Sequence, residues 1–87
     1  MAAIFHVNIS TPDKLIFDGN IRSLVAPAQK GYLGILANHA PIIAALVPGK
    51  ISIRDVSGET RAFNSTGNGF MEVSKNNAIL VLDSAES

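Results

Sequence analysis

Gly67-Asn-Gly-Phe-Met-Glu-Val-Ser-Lys-Asn-Asn-Ala-Ile-Leu-Val-Leu82 decides how the rest of the chain is read. Phe70, Glu72 and Ser74 alternate with Met71 and Val73, the period of two that a strand imposes on a segment with one covered face. Lys75-Asn76-Asn77 interrupts it with residues that tolerate positive φ. Ile79-Leu80-Val81-Leu82 then runs apolar without a break, which predicts a strand covered on both faces. Gly67-Asn68-Gly69 in front supplies a turn of its own. The stretch therefore reads as turn, strand, turn, strand.

The same grammar extends outward. Further turn clusters stand at Pro12-Asp13-Lys14, Asp18-Gly19-Asn20, Gln29-Lys30-Gly31, Asn38-His39-Ala40-Pro41, Pro48-Gly49 and Ser57-Gly58-Glu59. Between them the pieces are too short for most helices and rich in β-branched residues. Phe5, Val7 and Ile9 alternate with His6, Asn8 and Ser10, and Ile51 and Ile53 with Ser52 and Arg54. Ile42 to Leu46, confined between Pro41 and Pro48, reads as a short strand despite its Ala-Ala pair. Eight or more short strands with brief turns predict an all-β domain, an antiparallel β-sandwich or small barrel.

Composition narrows the function. Eighty-seven residues predict a single domain, 1–87, with one modest core and no deep catalytic cavity. Hydrophobic residues make up 47% and charged residues 16%, the latter against about 25% in an average soluble domain. Seven basic and seven acidic side chains cancel. So apolar a chain is not disordered, and a chain without basic excess is not expected to bind nucleic acid. A weakly charged, neutral surface is poorly soluble by itself, so another protein is expected to cover part of it. With no cysteine there is neither a disulfide framework nor a thiolate metal site. The uncharged stretch Gly31–Gly49 is interrupted by Asn38, His39, Pro41 and Pro48, which argues against a membrane span. No basic residue precedes an apolar run at the N-terminus, as a signal peptide requires.

Catalytic constellations are missing. His6 and His39 are the only histidines, and they lack metal-ligand spacing. No nucleophile elbow contains Ser65 or Thr66, and Gly31-Tyr32-Leu33-Gly34 fits neither a dinucleotide fingerprint nor a P-loop. His6 reads as a solvent-facing strand position. Glu72 has two readings, an interface carboxylate or an exposed one. No catalytic residue, cofactor or metal is expected. What does stand out is Val25 to Ile51, where Tyr32, Leu33, Ile35, Leu36 and Ile42 lie beside turn residues. Loops are usually polar, so this pattern suggests loops that dock.

Those residues carry a resemblance. Ser10-Thr-Pro-Asp-Lys-Leu-Ile-Phe-Asp-Gly19, Val25-Ala-Pro-Ala-Gln-Lys-Gly-Tyr-Leu-Gly-Ile35, Asn38-His-Ala-Pro41, Ala45-Leu-Val-Pro-Gly-Lys-Ile51, Gly69-Phe-Met-Glu-Val73 and Val81-Leu-Asp-Ser-Ala-Glu86 follow in order. Together they resemble the N-terminal domain of the epsilon subunit of F-type ATP synthases, called delta in mitochondria. Ala37 stands where that family commonly has proline, and Asn68 replaces one glycine of a usual pair. The family continues into a C-terminal helical hairpin, whereas this sequence stops at Ser87. The sequence is thus either a shortened piece or one of the homologues without the hairpin, and these 87 residues are expected neither to inhibit by insertion nor to bind nucleotide.

The resemblance implies a flattened antiparallel β-sandwich of about ten short strands in two sheets. It implies a non-catalytic rotor subunit that couples the gamma subunit to the membrane c-ring, with no direct small-molecule substrate. Membrane association would come only through the complex. The place would be the cytoplasmic side of a bacterial plasma membrane, or a thylakoid or inner mitochondrial membrane if organellar. Gly31, Tyr32 and Leu33 match the c-ring-facing loop, where Tyr32 replaces an acidic residue common in relatives. His39, Ala40 and Pro41 match the gamma-facing position, His39 either contacting gamma or capping its own loop. The competing reading is an independent β-sandwich module for a peptide or sugar. That reading requires a concave aromatic groove, from a chain with one Tyr, four Phe and no Trp.

Overall fold

Alternation reappears as burial in almost every strand. In the computed structural model, which describes residues 3–86, β1 (Phe5–Ser10) buries Phe5, Val7 and Ile9 and turns His6, Asn8 and Ser10 away from the core. The expected domain limits at 1 and 87 lie outside the described residues. The other strands are β2 (Leu15–Ala28), β3 (Gly31–Leu36), β4 (Ile42–Leu46), β5 (Gly49–Asp55), β6 (Thr60–Ser65), β7 (Gly69–Ser74), β8 (Asn77–Leu82) and β9 (Ala85–Glu86). Among the described residues all regular structure is strand.

One strand joins the layers. The first half of β2 pairs with β1, and its second half pairs with β3 on one edge and β5 on the other. One layer is thus the first half of β2 followed by β1, β8, β7 and β4. The other is β3, the second half of β2, β5, β6 and β9. Counting β2 in both layers makes the nine strands ten rows. A register shift between Ile21 and Ser23 bulges out Arg22 where β2 passes from one layer to the other. Between the layers Val7, Ile9, Ile21, Leu24, Ile51, Ile53, Met71, Leu80 and Leu82 are fully buried. Each such large side chain contributes about 1.5–3 kcal/mol by leaving water.

Three expectations change. Asp18-Gly19-Asn20 is no turn: Asp18, Gly19 and Asn20 pair with Asn8, Val7 and His6 in an unbroken ladder. Cross-strand pairing along the whole of β1 outweighs the weak β propensity of those three residues. β1 and β8 run parallel, the exception in an otherwise antiparallel set. The apolar run in β8 is covered on one face only. Ala78, Leu80 and Leu82 point into the core, while Ile79 remains 36% exposed. Between β7 and β8, Lys75 and Asn76 take φ of 51° and 61°, the two left-handed positions of a type I′ turn. Gly69 is required by close approach, because a Cβ there would strike the Val81 carbonyl oxygen.

Candidate interaction surfaces

β3 connects the two segments that the resemblance singles out. Gly31, Tyr32 and Leu33 begin it, and His39, Ala40 and Pro41 follow its end. Six strand residues span about 20 Å, so the two segments flank the length of one strand. The Tyr32 ring is 63% exposed, but its hydroxyl accepts a hydrogen bond from the Lys50 backbone N–H at 3.3 Å. Gly49 leaves room for this, since a Cβ there would come within 2.9 Å of the Pro27 Cβ and 3.2 Å of the Tyr32 oxygen. Leu33 turns inward against the core, so Gly31 and Tyr32 are what this end presents. An open groove of about 430 Å³ lies between this hairpin and β4, bounded by Lys30, Tyr32, Ile42 and Ala44 among others. Tyr32 is its sole aromatic lining residue, so it is not the concave aromatic groove that a peptide or sugar module requires.

The His39 segment is held by one hydrogen bond of its own and one to the β7–β8 turn. Asn38 adopts φ 64°, and its N–H donates to the Asn76 side-chain oxygen at 2.8 Å. His39 Nδ1 lies 2.7 Å from the Ala40 carbonyl, which can only accept, so Nδ1 carries the proton. That bond shapes the loop, and among the described residues Nε2 makes no hydrogen bond. His39 is half-buried; Ala40 and Pro41 are exposed.

Exposed apolar residues that sequence reasoning missed lie immediately beyond. Ile43 is 75% exposed and Phe70 48%, both outward on β4 and β7. The register sets Ile43, Glu72 and Ile79 in one cross-strand row and Ala45, Phe70 and Val81 in the next. Glu72 is thus an exposed carboxylate within an apolar patch. The residues expected in docking loops all lie in strands instead, Tyr32, Leu33, Ile35 and Leu36 in β3 and Ile42 in β4; Ile35 is core, Leu33 and Ile42 are half-buried, and Tyr32 and Leu36 are exposed. The missed signal was the parity of Ile43, one place beyond an inward Ile42.

On the same face, where His6 of β1 meets Asp18 and Asn20 of β2, the surface is polar. His6 Nε2 meets Asp18 Oδ1 at 2.5 Å and Nδ1 meets Asn20 Oδ1 at 3.1 Å. With an oxygen at each nitrogen, the doubly protonated ring is favoured. The Asn20 oxygen first, then the Asp18 carboxylate, raise the His6 pKa above its ordinary value. Elsewhere, the Gly67-Asn68 turn is packed against the β8–β9 connection, with Asp83 N–H donating to the Asn68 carbonyl at 2.9 Å. Among the described residues no three His, Asp or Glu side chains gather as a metal site would need.

Residues 4–87 match the family described as ATP synthase, Delta/Epsilon chain, beta-sandwich domain. The chain belongs to that family. It is 41% identical over 85 residues to the ATP synthase epsilon chain of Dichelobacter nodosus, covering 98% of this chain and 59% of the relative. Against that of Latilactobacillus sakei the identity is 48%, covering 95% and 58%. The chain thus spans under two thirds of these relatives. It covers 89% of the Chlorobaculum tepidum epsilon chain, at 46% identity over 91% of its own length. A chain of the Euglena gracilis mitochondrial ATP synthase superposes with a TM-score of 0.84 at 18% identity, covering 91% of this chain and 50% of that one. A chain of the Tetrahymena thermophila central stalk and c-ring gives 0.76 at 21%, covering 92% and 63%. These two likenesses establish the β-sandwich fold.

Proposed function

We propose that residues 1–87 form one β-sandwich domain serving as a non-catalytic rotor element of an F-type ATP synthase. In this reading it joins the gamma subunit to the c-ring, so that torque from ion flow reaches the catalytic head. The observation that carries the proposal is the unsatisfied outer face of β4, β7 and β8. Ile43, Phe70 and Ile79 project from a fold whose core is already complete, and such a patch gains most from burial against another protein. Gamma docks there, with His39, Ala40 and Pro41 at the border of the patch. Gly31 and Tyr32, at the far end of β3, face the c-ring loops. The domain holds its partners and leaves the chemistry of ATP to other subunits. Its association with the membrane runs through the complex, on the side where gamma lies.

The test is binding of the purified chain to its gamma subunit by titration calorimetry. Ile43→Asp combined with Phe70→Asp is expected to weaken binding while thermal unfolding stays near that of the parent. Unchanged affinity in a folded double variant would place gamma on another face.

A further inference from the structure

The side-chain amide of Asn76 is committed twice, each time to a different part of the chain. Nδ2 donates to the Ile4 carbonyl at 2.9 Å, and Oδ1 accepts from the Asn38 N–H at 2.8 Å. The main-chain carbonyl of Asn76 also accepts from the His6 N–H, at 3.3 Å. One residue therefore ties the β7–β8 turn to the start of β1 and to the β3–β4 loop.

Strand geometry explains why a side chain is used. In a parallel ladder, one residue accepts from the amide on one side of its neighbour and donates to the carbonyl on the other. With His6 facing Asn77, the Asn76 main chain performs the first task at His6. Its left-handed φ bends the backbone into the turn, and the donor found at Ile4 is Nδ2 instead. The amide thus extends the β1–β8 ladder by one bond. Its oxygen is left facing the Asn38 N–H, at a residue that itself adopts a left-handed conformation. Such a conformation persists where its surroundings hold it.

We propose that Asn76 is the positioning residue for the Asn38-His39-Ala40-Pro41 loop, holding it in the pose that meets gamma; this rests on the gamma-facing reading of that loop. Asparagine suits the position on two counts, because it tolerates positive φ and carries both a donor and an acceptor. Asn76→Gly keeps the turn and removes the whole amide. Asn76→Asp keeps the acceptor for Asn38 and removes the donor for Ile4.

The experiment measures amide exchange of Asn38 by NMR in the 87-residue chain, together with its affinity for gamma. In Asn76→Gly, Asn38 exchange is expected to quicken about ten-fold and the Kd for gamma to rise about ten-fold, the scale of one lost hydrogen bond. Asn76→Asp should preserve Asn38 protection. Unchanged Asn38 exchange in Asn76→Gly overturns the proposal. So does lost protection with unchanged gamma affinity, if His39→Ala does weaken binding. If His39→Ala also leaves binding unchanged, what fails is the gamma-facing reading beneath it.

Discussion

The outer face of the first layer is one sheet with two kinds of surface. Across β1 and β2 the outward side chains answer one another, His6 with Asn20 and Asp18. Across β4, β7 and β8 the outward Ile43, Phe70 and Ile79 stay exposed, with Glu72 between two of them. Both halves obey the same alternation, and both cover the same core. A sheet face turned to water is ordinarily polar. The polar half is matched to water by its own side chains, whereas the apolar half is the one that the proposed function covers with gamma.

The sharpest check sets the inner side of β8 against its outer side. Leu80→Ala removes a fully buried side chain and is expected to cost about 2–5 kcal/mol in denaturant unfolding. Ile79→Ala, on the outward side of the same strand, should cost under about 1 kcal/mol. Equal losses would mean that Ile79 belongs to the core and that the apolar half is smaller than drawn.

Next in size is the contrast between the halves themselves. Ile43→Asp with Phe70→Asp should weaken gamma binding about 100-fold, since two central apolar anchors of an interface are worth more than 1 kcal/mol each. Asn20→Ala, in the polar half, should leave gamma affinity near the parent value. Comparable losses in both would erase the distinction.

A smaller effect is expected beside the groove. Tyr32→Phe removes the acceptor for the Lys50 N–H and should lower stability by about 0.5 kcal/mol, the low end for an exposed hydrogen bond. A loss above about 2 kcal/mol would show that the hydroxyl organises more of this end than Lys50.

The last effect is a pH dependence. Because the folded pKa of His6 is raised, its stabilising contribution is fully present below the unfolded value and fades as pH rises through the folded one. An NMR titration should give a midpoint above that of a free imidazole. Asn20→Ala should lower this midpoint, because the Asn20 oxygen is the largest cause of the shift. A midpoint at or below the free value would remove the charge from the polar half.

Much of the fold was legible residue by residue, because a strand writes its period into its own side chains. Phe5, Val7 and Ile9 in β1 and Ile51 and Ile53 in β5 are inward, as their spacing predicts. Ile42–Leu46 is a strand between two prolines, as expected. The candidate site was less legible. Tyr32 and Leu33 stood out as apolar residues beside turns, but their partner, and that of His39, came from resemblance, and Leu33 turns inward. Ile43 was passed over because an Ile-Ile pair does not say which member faces out.

The sequence alone determined where most strands begin and end, and which side chains form the core of β1, β5 and β7. Those properties are local: a turn needs its own residues, and a period of two needs only one strand. The tertiary structure decided that Asp18-Gly19-Asn20 joins a ladder instead of breaking one, and that β1 lies parallel to β8. It also decided that Ile79 faces outward, and that Asn76 reaches both Ile4 and Asn38. Each depends on which distant segment supplies the partner, and a hydrogen bond across 72 residues leaves no mark on the spacing of its neighbours.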